Sequence, residues 1–167
     1  MTNAWNPGII EILRIHLPNS AFLGNIDPFL RGFDPSAPDV LEITANESWI
    51  SVHPIVLSMI AALGLSVPKG NVHCEKLVAK SKHYLERMGL FKILDIQSGM
   101  LITEHEAAGR FIPITQIRTA AESTAFMREV IPLLKVSSEK AEAIVHIISE
   151  LVRNVIEHAA SPLGAIV

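Results

Sequence analysis

Between residues 138 and 159 apolar side chains recur at spacings of one, three and four: Ile144, Val145, Ile148, Leu151, Val152, Val155, Ile156 and Ala159. That period belongs to an α-helix, and a stripe so broad needs a sheet or a second helix to cover it, so the spacing places the core here. Ser137 or Ser138 can cap the free N–H groups of its first turn, where Glu139 is well placed against the positive helix end. Against the stripe runs a polar file at a strict spacing of four: His146, Glu150, Asn154 and His158. Successive members drift about 40° around a helix of about 3.6 residues per turn, so Glu150 and Asn154 stay together while the two histidines fan apart. A carboxylate beside a carboxamide can move a proton and hold a hard cation; the plainer reading of the same file is a solvated face. A zinc site from His146, Glu150 and His158 is ruled out, because the two imidazoles lie about 18 Å apart along such a helix.

The 167 residues suffice for one ordinary domain or two small ones sharing a core, and the patterning favours two. Fourteen Lys and Arg stand against 17 Asp and Glu, a net charge of −3, with no basic cluster to track a phosphate backbone. Nucleic acid is therefore not an expected partner. A single cysteine, Cys74, excludes an intramolecular disulfide and any multi-cysteine metal site, and on its apolar strand it reads as core rather than nucleophile. A reducing, cytoplasmic setting is expected. Residues 1–7 place no basic residue ahead of an apolar run, so no secretory or transit peptide is indicated. Residues 49–68 contain no Asp, Glu, Lys or Arg, yet His53, Pro54, Ser58, Gly64 and Ser66 interrupt them; a buried strand and helix fits better than a membrane span. Mean hydropathy is high, +0.36, as expected of a chain that buries surface against a protein partner or a further segment of its own.

Along the chain, residues 8–17 read as a short amphipathic helix with Pro7 near its first turn, and residues 18–39, with four prolines and two glycines, as an ordered loop. Residues 40–45 alternate with period two and predict a strand; residues 54–65 predict a buried helix. A strand over residues 71–75 and an amphipathic helix over 77–88, stopped by Gly89, follow. Residues 95–99 turn into a short strand at 100–103, where the domain boundary is placed. A second strand over 110–115 is confined to an edge by Pro113, and a helix spans 120–134. The result is an α/β chain in three parts: residues 1–37, 38–97 and 98–167.

The series Glu150-x-x-x-Asn154-x-x-x-His158-Ala159 resembles the N-box of the gyrase and histidine-kinase ATPase superfamily (Bergerat fold), above all its anti-sigma-factor serine kinase branch. The likeness covers about the last third of the chain, including the helix before the motif and Gly164-Ala165-Ile166-Val167 after it, in the family's order. It implies ATP and Mg2+ as cofactors, Glu150 as general base, Asn154 as a magnesium ligand through its carboxamide oxygen, and Asn154 and His158 on the nucleotide side. The family's Asp-x-Gly-x-Gly motif and its glycine-rich lid do not occur in this sequence. The resemblance therefore implies the first helices and first strand of such a domain, truncated before that motif and unable to bind ATP alone.

The order Leu41-Glu42-Ile43, then residues 50–55, then Gly70, then residues 84–94 is similar to the STAS (sulfate transporter and anti-sigma antagonist) fold. That family carries a phosphorylatable hydroxyl just after a strand. Here the region reads Ser51-Val52-His53-Pro54, which favours packing or partner docking over a phospho-switch. The expected fold is thus α/β, a STAS-like module followed by the opening of a Bergerat-type α/β sandwich. The expected function is the N-terminal portion of a cytoplasmic ATP-binding regulator, an ATPase or serine kinase. The alternative is a noncatalytic module that binds a protein partner. An open sheet edge would also invite homo-oligomers.

Overall fold

Alternating side chains make Val40–Ala45 (β3) a strand, and in the computed structural model it is the centre of a parallel sheet with β1 (Ile12–Leu17) and β5 (Val72–His73) at its sides. The structure describes residues 10–17, 20–21, 26–32, 36, 38–45, 51–74, 77, 79–99, 111–159 and 161–167. Ile12 stands opposite Val40, and Leu41 opposite Val72. The helix expected over residues 8–17 is corrected here, because Ile12–Leu17 is a strand. Ile15 and Leu17 are buried while Arg14 and His16 face outward, a period of two, and an apolar run this short fits either period until a neighbouring strand selects one. The loop expected over residues 18–39 is corrected too: it contains β2 (Ser20–Ala21) and α1 (Asp27–Gly32), with Pro28 in the first turn of α1. β2 pairs in parallel with β4 (Ser51–Val52).

The helix α2 (Pro54–Ser66) matches its expected position and has no charge in its first or last turn. His53 caps it, Nδ1 accepting the Ile55 N–H at 3.2 Å, and Pro54 occupies the first turn, where a missing N–H is harmless. Val56, Leu57, Ile60 and Ala61 of α2 pack with Ile15, Leu17, Leu41 and Ile43 of the sheet in the main core. Leu85 of α3 (Ala79–Arg87) and Leu90 and Phe91 of α4 (Leu90–Ile93) complete it. Gly89 separates the two helices with φ of 82°, the left-handed stop that its position predicts. On the sheet's other face Arg14 Nε donates to Glu42 at 2.5 Å, and that pairing raises the guanidinium pKa.

Beyond residue 110 come β6 (Gln116–Ile117), α5 (Ala120–Val130), a 3-10 turn (Ile131–Leu133), α6 (Ser138–His158) and β7 (Ala165–Ile166). β6 and β7 pair antiparallel. The strand expected over residues 110–115 lies later, at Gln116–Ile117; Pro113 has no N–H, and the N–H of Ile114 donates to the Met88 carbonyl at 3.0 Å instead of joining a ladder. The strand expected over 100–103 falls outside the described residues. Thr119 opens α5 with a capping box: its hydroxyl accepts the Glu122 N–H, and the Glu122 carboxylate accepts the Thr119 and Arg118 N–H groups. Those bonds hold the Glu122 carboxyl below the usual range, the Arg118 N–H being the largest cause.

The core expected along α6 is a second correction of substance. Val152 is the buried residue of α6 and joins Ile117 and Ala165 in a small second cluster, with Ile148, Val155 and Ile156 partly buried around it. Ile147 is 57% exposed and Leu151 61%. The main core lies under α2. Among the described residues no helix is long and apolar enough to cross a membrane.

Gly164, between α6 and β7, has φ of +68°, and a Cβ there would stand 2.2 Å from the Ile117 carbonyl oxygen. Gly164→Ala is expected to cost at least about 2 kcal/mol, because strain and backbone collision add. A urea denaturation midpoint lowered at unchanged slope would show it; a wild-type midpoint would contradict it.

Candidate functional site

The helical period of residues 138–158 sets Glu150, Asn154 and His158 one turn apart in succession on α6. Glu150 is half-buried; Asn154 and His158 are exposed. The Glu150 carboxylate accepts from Nη2 of Arg153 at 2.5 Å, an i,i+3 pair that the sequence reading missed although the spacing was there to find. His158 Nε2 lies 3.9 Å from the Glu157 carboxylate. His146 is exposed, and among the described residues no three of His, Cys, Asp or Glu converge to hold a metal. Ser137 stands at the N-cap of α6, but its side chain makes no capping bond.

Beside this file lies an open cleft of about 390 Å³ between α2, α6 and the terminal strand. Ile55, Met59 and Ala62 of α2 face Leu151, Val152 and Val155 of α6 across it, and residues 164–167 form its floor. Among the described residues Ser58 is the one polar side chain lining it, and Glu150, Asn154 and His158 are not among the lining residues. The volume falls within the range of about 300–1,000 Å³ usual for ligand sites, but the lining suits apolar matter.

The chemistry of the donors decides what each part can hold. The carboxylate of Glu150 and the carboxamide oxygen of Asn154 are hard oxygen donors that fit a magnesium ion. The cleft offers no cation and no amide side chain to a triphosphate, so the described residues do not fit a nucleotide.

Elsewhere the titratable groups are structural. Burial pushes the Cys74 thiol up to about 12, with a weaker opposing pull from Lys82, so it is no nucleophile. Burial likewise raises the Tyr84 phenol, whose hydroxyl donates to the Val52 carbonyl at 2.7 Å and ties α3 to β4. Lys69 and Asp95 pair at 2.7 Å at the surface, which lowers the Asp95 carboxyl. Comparison with models of protein families, with curated proteins and with solved structures finds no match for this chain.

Glu150→Ala and Asn154→Ala should each leave stability within about 0.5 kcal/mol, because a surface ion pair contributes little and the Asn154 side chain is in water. Urea unfolding checks this, and a loss of several times that size would assign them structural roles. At pH 8 the Cys74 thiol stays protonated in the fold, so iodoacetamide should label it in urea but not in buffer, as read by intact mass.

Proposed function

We propose that α6 serves as the N-box helix of a Bergerat-type regulatory domain, in a cytoplasmic protein that hydrolyses ATP or phosphorylates a protein serine. The observation that carries this reading is the placement of Glu150 and Asn154 one turn apart on a solvent-accessible ridge of a 21-residue helix. The surrounding order of β6, α5, α6 and β7 supports it, since a helix before the motif and a strand after it belong to the same resemblance. In this role Glu150 would accept a proton from a water or a hydroxyl, with the Arg153 hydrogen bond fixing the direction of its carboxylate. Asn154 would supply one carboxamide oxygen to a magnesium ion, whose chemistry would be to neutralise charge on phosphate oxygens, and His158 would stand on the nucleotide side. The groups that grip adenine and triphosphate come, on this reading, from outside the described residues.

A second reading has a specific observation in its favour. Ile147 and Leu151 expose 57% and 61% of their surface on the same helix, as a noncatalytic module that packs against a protein partner would require.

Calorimetric titration of magnesium-ATP into this chain is expected to give no binding down to a Kd of about 1 mM, and tight binding would contradict the cleft chemistry. In a protein that carries this segment together with an Asp-x-Gly-x-Gly segment, Asn154→Ala should weaken magnesium-ATP binding at least about tenfold. Glu150→Ala should bind ATP but lose turnover. Unchanged binding and turnover in both variants would leave the interaction module as the function.

A further inference from the structure

Among the described residues the outer edge of β7 leaves backbone groups unpaired beside an apolar wall. Thr115 and Val167 exchange two hydrogen bonds, at 2.8 and 3.0 Å, and so form a bonded pair of the antiparallel ladder. Bonded pairs alternate with pairs whose N–H and C=O groups point away from each other, and the next pair in register is Gln116 with Ile166. The N–H and C=O of Ile166 therefore point away from β6. Among the described residues neither a strand nor a side chain meets them. An edge of this kind is a template for another strand.

The cleft of about 390 Å³ runs along this edge. β7 is itself held between two layers, since Ile166 packs with the core under α2 while Ala165 and Val167 belong with the cluster under α6. Outward from β7 the same two layers continue as the walls of the cleft, with Ile55 and Met59 on one side and Leu151 and Val155 on the other. A recess walled on both sides admits something narrow. The β7 edge of a second copy would bring its own α2 and α6 against the same walls, a bulk that a bare strand does not carry. A helix is excluded on different grounds, because its N–H and C=O groups are spent on one another and cannot complement the partial charges that Ile166 presents. One extended strand satisfies both conditions, and with an apolar wall on each side its residues must be apolar on both faces rather than alternating.

We propose that the slot between α2 and α6 binds an extended apolar segment of a partner protein, which adds to β7 as a strand through the N–H and C=O of Ile166. Main-chain hydrogen bonds supply the register, and the aliphatic walls select the side chains. Leu151, 61% exposed, and Ile55, 45% exposed, form the mouth of the slot. This assignment goes beyond the nucleotide reading and does not depend on it.

The test uses a labelled hexapeptide of valine and isoleucine with terminal lysines for solubility, titrated into the 167-residue protein and followed by fluorescence anisotropy. Parallel arms use the same peptide N-methylated at its central amides, an amphipathic helical peptide, and the Leu151→Asp protein. Saturable binding is expected, at least about tenfold weaker after N-methylation and in Leu151→Asp, with the Ile166 amide newly protected from hydrogen exchange. Leu151→Asp should melt as the parent does, and the N-methyl arm leaves the protein untouched. Equal affinity for the N-methylated peptide, preference for the helical one, or no binding at all would overturn strand addition. A concentration-dependent dimer that Leu151→Asp dissolves would assign the slot to a second copy, against the proposal. Magnesium-ATP binding bears on the nucleotide reading alone, so the two can fail separately.

Discussion

The pairing of β1 with β3 underlies the rest of this structure. Six residues of each strand run parallel in register from Ile12 opposite Val40 to Leu17 opposite Ala45. Together they present Ile15, Leu17, Leu41 and Ile43 as one apolar surface, in the same core as Val56, Leu57 and Ile60 of α2. Each such side chain contributes roughly 1.5–3 kcal/mol when removed from water, so losing the sheet would expose the face of α2 that carries them. A parallel pair cannot be joined by a tight turn, so a long loop must close before the pairing brings its return. Asp39 supports the entry to β3, its carboxylate accepting the Glu11 N–H at 2.9 Å.

The C-terminal part is attached more lightly. Ile117, Val152 and Ala165 make a small cluster, and β7 connects it to the main core because its alternate residues face opposite layers. That alternation gives a two-residue strand an influence beyond its length. It separates α2 from α6, and where β7 has no further neighbour among the described residues an apolar cleft lies between them. The exposure of Leu151 and, among the described residues, the unpaired backbone of Ile166 thus share a physical cause: α2 and α6 flank the edge of the strand between them.

The polar file on α6 and the apolar cleft beside it are separate pieces of chemistry on one helix. Asn154 is exposed and Glu150 half-buried on the outer side of α6, both apart from the residues that line the cleft. Leu151 and Val155, one position further along, turn about 100° around the helix axis and line the cleft. A nucleotide site needs both kinds of surface in one enclosure, and here the helix divides them.

The features legible in the sequence were those whose cause lies within a few residues. Pro54 opens α2 and Gly89 closes α3, because caps and stops are set by local backbone groups; the Thr119–Glu122 capping box of α5 is equally local but was not read from the sequence. The one-turn spacing of Glu150 and Asn154 follows from the helical period alone, and so did not need a fold to be seen. What the sequence left open depended on distant partners. Residues 12–17 could satisfy two periods, and pairing with β3 chose the strand. The stripe on α6 announced a need for cover without saying how much would be found, and the tertiary arrangement covers Val152 while leaving Leu151 at the mouth of a cleft. Local backbone chemistry is written in neighbouring residues; burial depends on which surfaces remain free once the others have paired, and that is settled only in three dimensions.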